Sequence, residues 1–518
     1  MLRRPVLTRV GVGLALLVVA GFLMGPAFAA PAPETDEGLL VAYPAQVLQG
    51  RLPHRDFLSF YGPGEPWLVA GADKILGTSL HTERVVGMGF RLLLIGAAYL
   101  LALPWGILIA AASAAIAAMA LVTVVAANAI VGVEALGLLG LALLVRAMLT
   151  TEPSRRRDRL LFGAGAVLGL SVLWRYDFAP AAIISALPMW LLYSRRERRH
   201  FAVGFAAGLV PYLVQIVLVG PANEWRADHI AVFSESGRRL GLPPFHSTTF
   251  DLLALYGLSL AAFFGTGIWS EWRDRRNPEG RALLSIGLYS AALLPFAASL
   301  LEPAHVLFAS LPVLCMLPVA LTVLARLDPP RRPTPRWRAV AAAATALALA
   351  LLAAPQVLRD GLFTEIRYTF DGTHLASFTV TGEQGRTWLL ADPLAAHDVQ
   401  SMITAIDRLA RPGQSLFVGT SDLRGANEND VELYFLLPEL RPASYYMELE
   451  QNAFNARNSG LAGELRRADW LILTSRFPTA RLGGSSEPNE VVASKFCVRA
   501  ESGTYKLLER CALQLSRG

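Results

Sequence analysis

Residues 101–149 read LALPWGILIAAASAAIAAMALVTVVAANAIVGVEALGLLGLALLVRAML, and Glu134 and Arg146 are the only charged residues among them. A helix that crosses the hydrocarbon core of a bilayer needs about 20 mostly apolar residues. This run is therefore long enough for two membrane-spanning helices. The polar residue Asn128 predicts the break between them.

Extending the same criterion along the chain gives about eleven apolar runs of spanning length. They begin near residues 7, 84, 105, 127, 160, 179, 201, 251, 281, 305 and 337, and the last ends near Pro355. Of the 518 residues, 53% are hydrophobic and 17% charged, against about 25% charged in soluble domains. The sequence predicts a polytopic all-α membrane protein and argues against a disordered chain or an ordinary soluble enzyme.

Arginine clusters between the apolar runs predict the orientation, because short cytoplasmic loops accumulate basic residues. All clusters lie on one side if the helices alternate from a cytoplasmic N-terminus. They comprise Arg3, Arg4 and Arg9; Arg155, Arg156, Arg157 and Arg159; Arg195, Arg196, Arg198 and Arg199; Arg273, Arg275, Arg276 and Arg281; and Arg326, Arg331, Arg332, Arg336 and Arg338. The formal net charge of +6 is thus a topology signal and does not indicate binding to nucleic acid.

Three polar segments are then expected on the outer face: 31–82, 221–249 and the tail 356–518. Strand-like runs in the tail alternate with helix-like runs, which predicts an extracytoplasmic α/β domain after a membrane domain of residues 1–355. The strand-like runs are 415–419, 470–474, 490–497 and 504–508, and the helix-like runs are 399–409 and 459–466.

Two features near the chain ends leave alternatives. The first apolar run is either a retained helix, favoured by its length, or a signal peptide cleaved after Ala27-Phe28-Ala29. Three cysteines exclude a disulfide scaffold and a multi-cysteine metal site. Cys497 and Cys511 are expected to form a disulfide in an oxidising compartment, and the alternative is two free thiols.

The first outer loop, residues 31–82, contains Asp36 and Glu37 directly after a membrane helix. The acids are either a solvated helix end or a catalytic group that acts as general base on a hydroxyl. Residues 39–48 and 63–76 are expected to form interfacial helices that hold these carboxylates near lipid headgroups.

Other polar groups are expected at the outer ends of helices. Arg175 and Asp177 follow the fifth run, where they form either a local anchor or a functional pair. His305 follows Glu302 at a helix start, as a boundary residue or a phosphate ligand. The second outer loop, with Arg238 and Arg239, is a solvated surface or a cationic lip for a lipid phosphate. No P-loop, zinc-protease or α/β-hydrolase signature occurs in a credible context.

The polar segments and helix ends expected on the outer face contain a series of short motifs. They are Asp36-Glu37, Tyr43-Pro44-Ala45, Arg55-Asp56-Phe57, Phe60-Tyr61-Gly62-Pro63-Gly64, Arg175-Tyr176-Asp177 and Pro303-Ala304-His305. With these motifs the chain resembles the polytopic GT-C glycosyltransferases, in particular the family 39-like relatives of protein O-mannosyltransferases and aminoarabinose transferases. The resemblance covers about residues 1–355 and departs at Glu302, where an Arg-x-Asp type stretch is expected before the histidine.

The resemblance implies an inverting hexosyl or pentosyl transferase. The implied donor is a sugar on a polyprenyl phosphate, whose lipid lies in an apolar cleft between helices. The sugar passes to a hydroxyl group of a glycan, lipid or protein on the outer face of the bacterial cytoplasmic membrane. Asp36 is the implied base and Glu37 positions it or the acceptor. Arg175, His305 and Arg55 are the implied ligands of the donor phosphate, supported by Asp56, Tyr61, Asp177 and Glu302.

No residue is assigned to a metal, and the resemblance leaves open whether a divalent cation takes part. Two alternatives to the transferase remain from the sequence. A flippase or transporter of lipid-linked sugar would place ionisable residues near the middle of its helices, where Glu134, Arg146 and Arg91 are the main examples. A non-catalytic envelope-assembly protein would not need Asp36.

Overall fold

A computed structural model describes residues 3–511, with gaps at 34, 151, 236–242, 246, 275–276, 300, 327–335, 354, 426–427, 451 and 478–482. The first α-helices are α1 (Arg3–Leu23), α2 (Asp36–Leu48), α3 (Gly64–Leu76), α4 (Leu80–Ala102), α5 (Ile107–Leu121), α6 (Ala129–Leu149), α7 (Arg155–Ser171), α8 (Ala179–Ile184), α9 (Leu187–Leu192), α10 (Arg195–Val219) and α11 (Pro221–Glu235). They continue with α12 (Thr248–Arg273), α13 (Pro278–Ala291), α14 (Leu294–Ser299), α15 (Pro303–Cys315), α16 (Leu317–Arg326), α17 (Arg336–Ala353), α18 (Asp360–Asp371), α19 (Pro393–Leu409), α20 (Glu432–Leu436), α21 (Leu461–Leu465) and α22 (Glu487–Lys495). The strands are β1 (Phe378–Thr381), β2 (Thr387–Leu390), β3 (Ser415–Thr420), β4 (Arg441–Pro442), β5 (Trp470–Thr474), β6 (Phe496–Ser502) and β7 (Tyr505–Arg510).

The chain forms two compact units, each built from separate stretches of sequence. The helical unit comprises Met1–Ala27, Gly87–Gln215 and Arg238–Thr373. The mixed unit comprises Phe28–Val86, Ile216–Gly237 and His374–Gly518. Most of each polar segment expected on the outer face thus falls in the mixed unit. The predicted functional boundary between residues 355 and 356 stays a prediction.

Every apolar run recognised in the sequence is helical in the structure. Within the described residues, seven helices are long and apolar enough to cross a membrane, so this is a multi-pass membrane protein. They are Val6–Ala29, Leu80–Trp105, Ala129–Leu149, Arg195–Val219, Thr248–Arg273, Pro278–Ser299 and Pro303–Arg326. Shorter apolar helices lie at Ile107–Leu121 and Trp337–Leu352. Of the remaining two runs, one coincides with α7 and the other with α8 and α9. The count of eleven crossings stays a prediction.

Polar and small residues set the local geometry of the helical unit. The Asn128 side chain accepts a hydrogen bond from the backbone N–H of Ile130 at 2.9 Å and caps α6, which confirms the predicted break. Helices α7 and α10 meet at glycines, because a Cβ at Gly204 or Gly208 would collide with a backbone carbonyl of α7. Such small residues let apolar helices pack backbone to backbone in a membrane.

A five-stranded sheet with the order β4-β3-β5-β7-β6 organises the mixed unit. Strand β3 is parallel to β4 and β5, whereas β7 is antiparallel to β5 and β6. Strands β1 and β2 form a separate antiparallel pair. The combination of this sheet with helices of the tail confirms the predicted α/β class.

Helix α2 lies in the core of the mixed unit and not along a membrane surface, so the expectation for residues 39–48 is wrong. Leu39, Val41, Ala42 and Tyr43 belong to the same buried cluster as side chains of the sheet and of α20. The sequence of α2 is apolar on all sides from Leu39 to Ala45, as in a fully buried helix.

Helix α3 has the reverse distribution of polarity. Its acids Glu65 and Asp73 are buried, whereas Trp67 and Ile75 are exposed by 43% and 82%. Leu68 and Leu76 extend the exposed apolar face. An apolar face turned away from the protein core is typical of a helix that lies at a membrane interface, in agreement with the prediction for residues 63–76.

The secondary structure of the tail agrees with three of the four predicted strands. Residues 490–497 are the exception, since α22 occupies Glu487–Lys495 and β6 begins only at Phe496. Pro488 at the helix start and Glu487 and Glu490 in the first turn favour a helix N-terminus there. These start signals prevail over the apolar residues that follow them.

Cys497 and Cys511 form a disulfide, which confirms the predicted pairing. Cys497 lies in β6 and Cys511 directly follows β7, so the bond joins neighbouring strands across a separation of 14 residues. We expect the double variant Cys497→Ser/Cys511→Ser to lower the free energy of unfolding of the mixed unit by about 3 kcal/mol, because the unfolded chain gains loop entropy. Chemical unfolding in detergent measures the loss, and peptide mapping without reductant tests the bond. Two free thiols in the wild-type protein would contradict the pairing.

The stability of the mixed unit should depend on the protonation of Asp73. Burial raises the pKa of Asp73 to about 7, with Arg386 opposing the shift, and Oδ1 has no hydrogen-bond partner among the described residues. The folded state therefore binds a proton more tightly than the unfolded chain, and stability falls as pH rises from about 4 to 7. We expect Asp73→Asn to stabilise the unit by about 1–4 kcal/mol at pH 8 and by much less at pH 4. Thermal unfolding across this range is the measurement, with Glu501→Gln as an exposed control. Equal effects of Asp73→Asn at both pH values would refute the prediction.

Candidate active site

Asp36 and Glu37 form the first turn of α2. Acids are stabilised at this position because the N-terminal end of a helix carries partial positive charge. Their surroundings differ, since Asp36 is exposed and Glu37 is 3% exposed. Asp36 is therefore an exposed residue, whereas the Glu37 carboxylate is turned into the protein.

Glu37 makes a buried, two-pronged ion pair with Arg84 of α4. Arg84 Nε donates to Oε1 at 2.7 Å and Nη2 donates to Oε2 at 2.9 Å. Arg84 Nη1 also donates to the carbonyl oxygens of Phe28 and Ala30, both at 2.9 Å. The guanidinium thus connects the entry of the first outer loop to the start of α2, and both oxygens of Glu37 are engaged.

Two further contacts hold the start of α2 in place. Thr35 Oγ1 donates to the carbonyl oxygen of Asn429 at 3.0 Å and accepts from the backbone N–H of Asn429 at 3.2 Å. Gly38 packs so closely on the beginning of α20 that a Cβ would lie 2.9 Å from the backbone nitrogen of Glu432. Asp36 is therefore flanked on both sides by residues with fixed positions.

In the helical unit, Arg175 and His305 pack against the same aromatic ring. The Arg175 guanidinium lies 5.0 Å from the centroid of the Phe296 ring, and the His305 ring lies 4.8 Å from it. Arg175 donates to both oxygens of Asp177, at 3.0 and 2.8 Å. His305 Nδ1 lies 2.8 Å from Glu302 Oε1. The structure thus brings together two predicted pairs, Arg175–Asp177 and Glu302–His305, that are distant from each other in sequence.

An apolar cavity of about 280 Å³ lies beside the beginning of α15, the helix that carries His305. Its walls come mainly from α5 and α15, and the buried residue Arg91 is the charged group in its lining. Arg91 donates to the carbonyl oxygens of Gly87 and Ala126 at 3.0 and 2.6 Å. The volume and the mostly apolar lining suit part of an alkyl chain.

Arg55, Asp56 and Tyr61 lie in the mixed unit and shape the first outer loop. Arg55 pairs with Asp56 at 2.7 Å, and Asp56 also accepts from the N–H of Leu52 at 2.7 Å. Partial burial opposes ionisation of Asp56, but the bonds from Arg55 and Leu52 hold the pKa of this carboxyl below its usual value. The Tyr61 carbonyl oxygen accepts from Ser59 Oγ at 2.9 Å. Arg238 and Arg239, the predicted cationic lip, lie outside the described residues.

Arg84 has no role predicted from the sequence, yet the structure places it at the centre of the Asp36–Glu37 region. The signal was present in the sequence, because an arginine at the end of an apolar run requires a partner. Its partner could not be identified, since Glu37 is separated from it by 47 residues.

We expect Arg84→Met to lower the free energy of unfolding of the mixed unit by about 3–5 kcal/mol, because Glu37 would remain buried without its cation. The double variant Glu37→Gln/Arg84→Met should lose less than the sum of the two single variants. Chemical unfolding followed by tryptophan fluorescence measures both effects. Arg367→Met, which removes an exposed pair with Asp371, is the control and should change stability by under about 1 kcal/mol. Additive losses in the double variant would show that the pair is not coupled.

Comparison with known proteins identifies the fold. No protein-family model matches the sequence, and no curated protein matches it. Among solved structures, ArnT from Cupriavidus metallidurans in the apo state matches with a TM-score of 0.50, 13% identity and coverage of 96% of this chain and 97% of ArnT. The Archaeoglobus fulgidus oligosaccharyltransferase in complex with Zn and sulfate matches with a TM-score of 0.50, 14% identity and coverage of 89% and 68%. ArnT bound to undecaprenyl phosphate gives a TM-score of 0.47 with 16% identity over 98% of both chains. The present chain therefore shares the fold of ArnT and of the oligosaccharyltransferase, with a polytopic helical body and a C-terminal α/β part.

Proposed function

We propose that this protein is a membrane glycosyltransferase that moves a sugar from a polyprenyl-phosphate donor to an acceptor hydroxyl. The observation that carries the proposal is the exposed Asp36 carboxylate, held at the start of α2 by the buried Glu37–Arg84 pair. The GT-C fold supports it at the level of architecture. The acidic pair in the first outer loop is also where the family resemblance predicts the catalytic base.

Asp36 is the proposed general base. Its carboxylate takes the proton of the acceptor hydroxyl while that oxygen attacks the anomeric carbon of the donor. The bond between this carbon and the phosphate oxygen breaks, and the lipid phosphate leaves with the bonding electrons. Attack from the face opposite the leaving group inverts the anomeric configuration. Glu37, with both oxygens bonded to Arg84, acts as a positioning residue for Asp36.

Arg175 and His305 are the proposed ligands of the donor phosphate. A guanidinium offers paired N–H donors that match phosphate oxygens. His305 lies in the first turn of α15, where the helix N-terminus favours an anion. Their carboxylate partners Asp177 and Glu302 orient the two donor groups before phosphate arrives. The cavity between α5 and α15 would accept part of the polyprenyl chain.

The proposed location is the outer face of a bacterial cytoplasmic membrane. The arginine clusters support this orientation, because they fall on one side of the predicted spans. The mixed unit further supports this location, because it contains the larger part of each of the three polar segments. The disulfide between Cys497 and Cys511 fits an oxidising compartment. The acceptor would be a glycan, lipid or protein hydroxyl reached from that side.

The decisive variant is Asp36→Asn, which keeps the shape of the side chain and removes the base. We expect transfer to fall by at least about 100-fold, the usual contribution of a general base. Purified protein receives radiolabelled polyprenyl-phosphate sugar and a membrane extract as acceptor. Asp360→Asn is the matched control, because Asp360 is also an exposed first residue of a helix, and this variant should transfer normally.

The same assay separates the proposal from its two alternatives. A flippase would move the labelled lipid across proteoliposomes without forming a glycosylated product. A non-catalytic assembly protein would give no product with wild-type protein and would keep its cellular function with Asp36→Asn. Equal transfer by the wild-type and Asp36→Asn proteins would refute the assignment of the base.

A further inference from the structure

A second apolar cavity in the helical unit, of about 220 Å³, has no part in the proposed transfer reaction. Its walls come mainly from α1 and α4. Apart from Arg9 and Tyr99, the residues that line it are glycines or carry aliphatic side chains. We call this cavity the α1–α4 groove.

The α1–α4 groove reaches the lipid-facing surface of the protein. Val10 and Leu14 belong to its lining and are exposed by 53% and 57%. They lie in the apolar span Val6–Ala29, of which only 6% is buried within the protein. The lining of α1 extends from Arg9 to Leu17, which is about 12 Å along the helix axis. This length is less than half of the hydrocarbon thickness of about 30 Å, so the groove lies within one leaflet.

Arg9 places a positive charge at one end of the groove. It lies near the start of the span Val6–Ala29 and is exposed. Within the part of the chain that the structure describes, no carboxylate forms an ion pair with its guanidinium. A charged side chain within a membrane span is costly unless it is paired or reaches the headgroups. A negatively charged partner from the membrane would remove this cost.

Arg146 brings a second positive charge to the same end of the groove. Tyr99 and Leu100 are neighbours on α4, and both line the groove. The Tyr99 hydroxyl donates to the carbonyl oxygen of Arg9 at 2.7 Å, and Arg146 Nη2 donates to that of Leu100 at 3.4 Å. Arg146 lies in the last turn of α6 and, among the described residues, also has no carboxylate partner. Two arginines at this end thus lack a counter-charge from the described chain.

We propose that the α1–α4 groove binds an anionic phospholipid, with an acyl chain in the groove and the headgroup phosphate beside Arg9 and Arg146. Guanidinium groups match phosphate oxygens in charge and geometry. Basic pockets between membrane helices are typical sites for acidic lipid headgroups. Gly96 leaves space for the chain, because even a Cβ there would lie 3.9 Å from its nearest neighbour, Leu17.

The occupant differs from the proposed polyprenyl donor. In the predicted topology, Arg9 and Arg146 lie on the side of the arginine clusters, whereas the Arg175–His305 group lies on the opposite side. The bound phospholipid would fill the space between α1 and α4 and stabilise the packing of α1. This inference is independent of the proposed function, because it uses neither Asp36 nor the donor-phosphate ligands.

The first test compares two lipids with identical acyl chains on the full-length protein, which is delipidated in detergent and followed by native mass spectrometry. Phosphatidylglycerol should bind at least about tenfold more tightly than phosphatidylcholine, since each arginine near a lipid surface contributes about a factor of five. Arg9→Gln and Arg146→Gln should each weaken the binding of phosphatidylglycerol about fivefold. Arg159→Gln is the control, because it removes an exposed arginine of α7 that lies outside the groove. It should bind like the wild type.

The second test blocks the groove and leaves both arginines in place. Gly96→Leu puts a side chain where the acyl chain would lie, so we expect phosphatidylglycerol to bind at least about tenfold more weakly. Gly89→Leu is the matched control, because Gly89 lies on the same helix, is exposed and has no atom within 4 Å of a Cβ built there. Thermal unfolding without added lipid verifies that each variant is folded.

Three outcomes would overturn the proposal. Equal binding of the two lipids, or binding that Arg9→Gln and Gly96→Leu leave unchanged, would assign the lipid as a non-specific neighbour of the helices. Displacement of phosphatidylglycerol by equimolar polyprenyl phosphate would assign the groove to the donor lipid. A lipid-free dimer in the mass spectrum, lost in Gly96→Leu, would show that a second copy of the chain covers the groove.

Discussion

The buried ion pair between Glu37 and Arg84 is the constraint on which the candidate active site depends. A carboxylate and a guanidinium removed from water lose several kcal/mol of hydration each, and only close, fully bonded geometry offsets this cost. The pair meets that condition, because Arg84 Nη1 also donates to the carbonyl oxygens of Phe28 and Ala30. One side chain thus fixes the path of the chain from the first membrane helix to the beginning of α2. Asp36 is adjacent to this fixed point, so the position of its backbone is constrained although the residue is exposed.

The two groups of proposed site residues show different ways of holding charge near a membrane. In the mixed unit, Glu37 is held by a partner distant in sequence, which makes it rigid and unavailable for proton transfer. In the helical unit, Arg175 and His305 have partners two and three residues away, Asp177 and Glu302, and share the face of Phe296. Those partners are partly exposed, so an incoming phosphate can compete with them at a lower desolvation cost. Rigid support suits a base, whereas exchangeable partners suit the binding and release of a charged leaving group.

Much of the fold was predictable from the sequence, because membrane spans are defined by local composition. The apolar runs, the helix break at Asn128 and three strands of the tail all follow from patterns within about 20 residues. The errors have two causes, since local helix-start signals displaced the strand predicted at 490–497, whereas the other error comes from long-range packing. Residues 39–48 were expected at a membrane interface but lie in a core that also contains side chains of β3, β5 and α20, hundreds of residues away. Arg84 could be noticed as unusual in the sequence, yet only the three-dimensional structure identifies Glu37 as its partner.

The reversed polarity of α3 has a consequence for the geometry of transfer. A helix whose tryptophan, leucine and isoleucine side chains face outwards settles at a defined depth among lipid headgroups. Because α3 packs on α2 within one compact unit, that depth also sets the height of Asp36 above the hydrocarbon. A polyprenyl-phosphate sugar is confined in the same way, since its lipid chain keeps the phosphate at the headgroup level. In the proposed reaction, the lipid headgroups thus set the height of both the base and the donor phosphate, so the thickness and composition of the bilayer would affect their alignment.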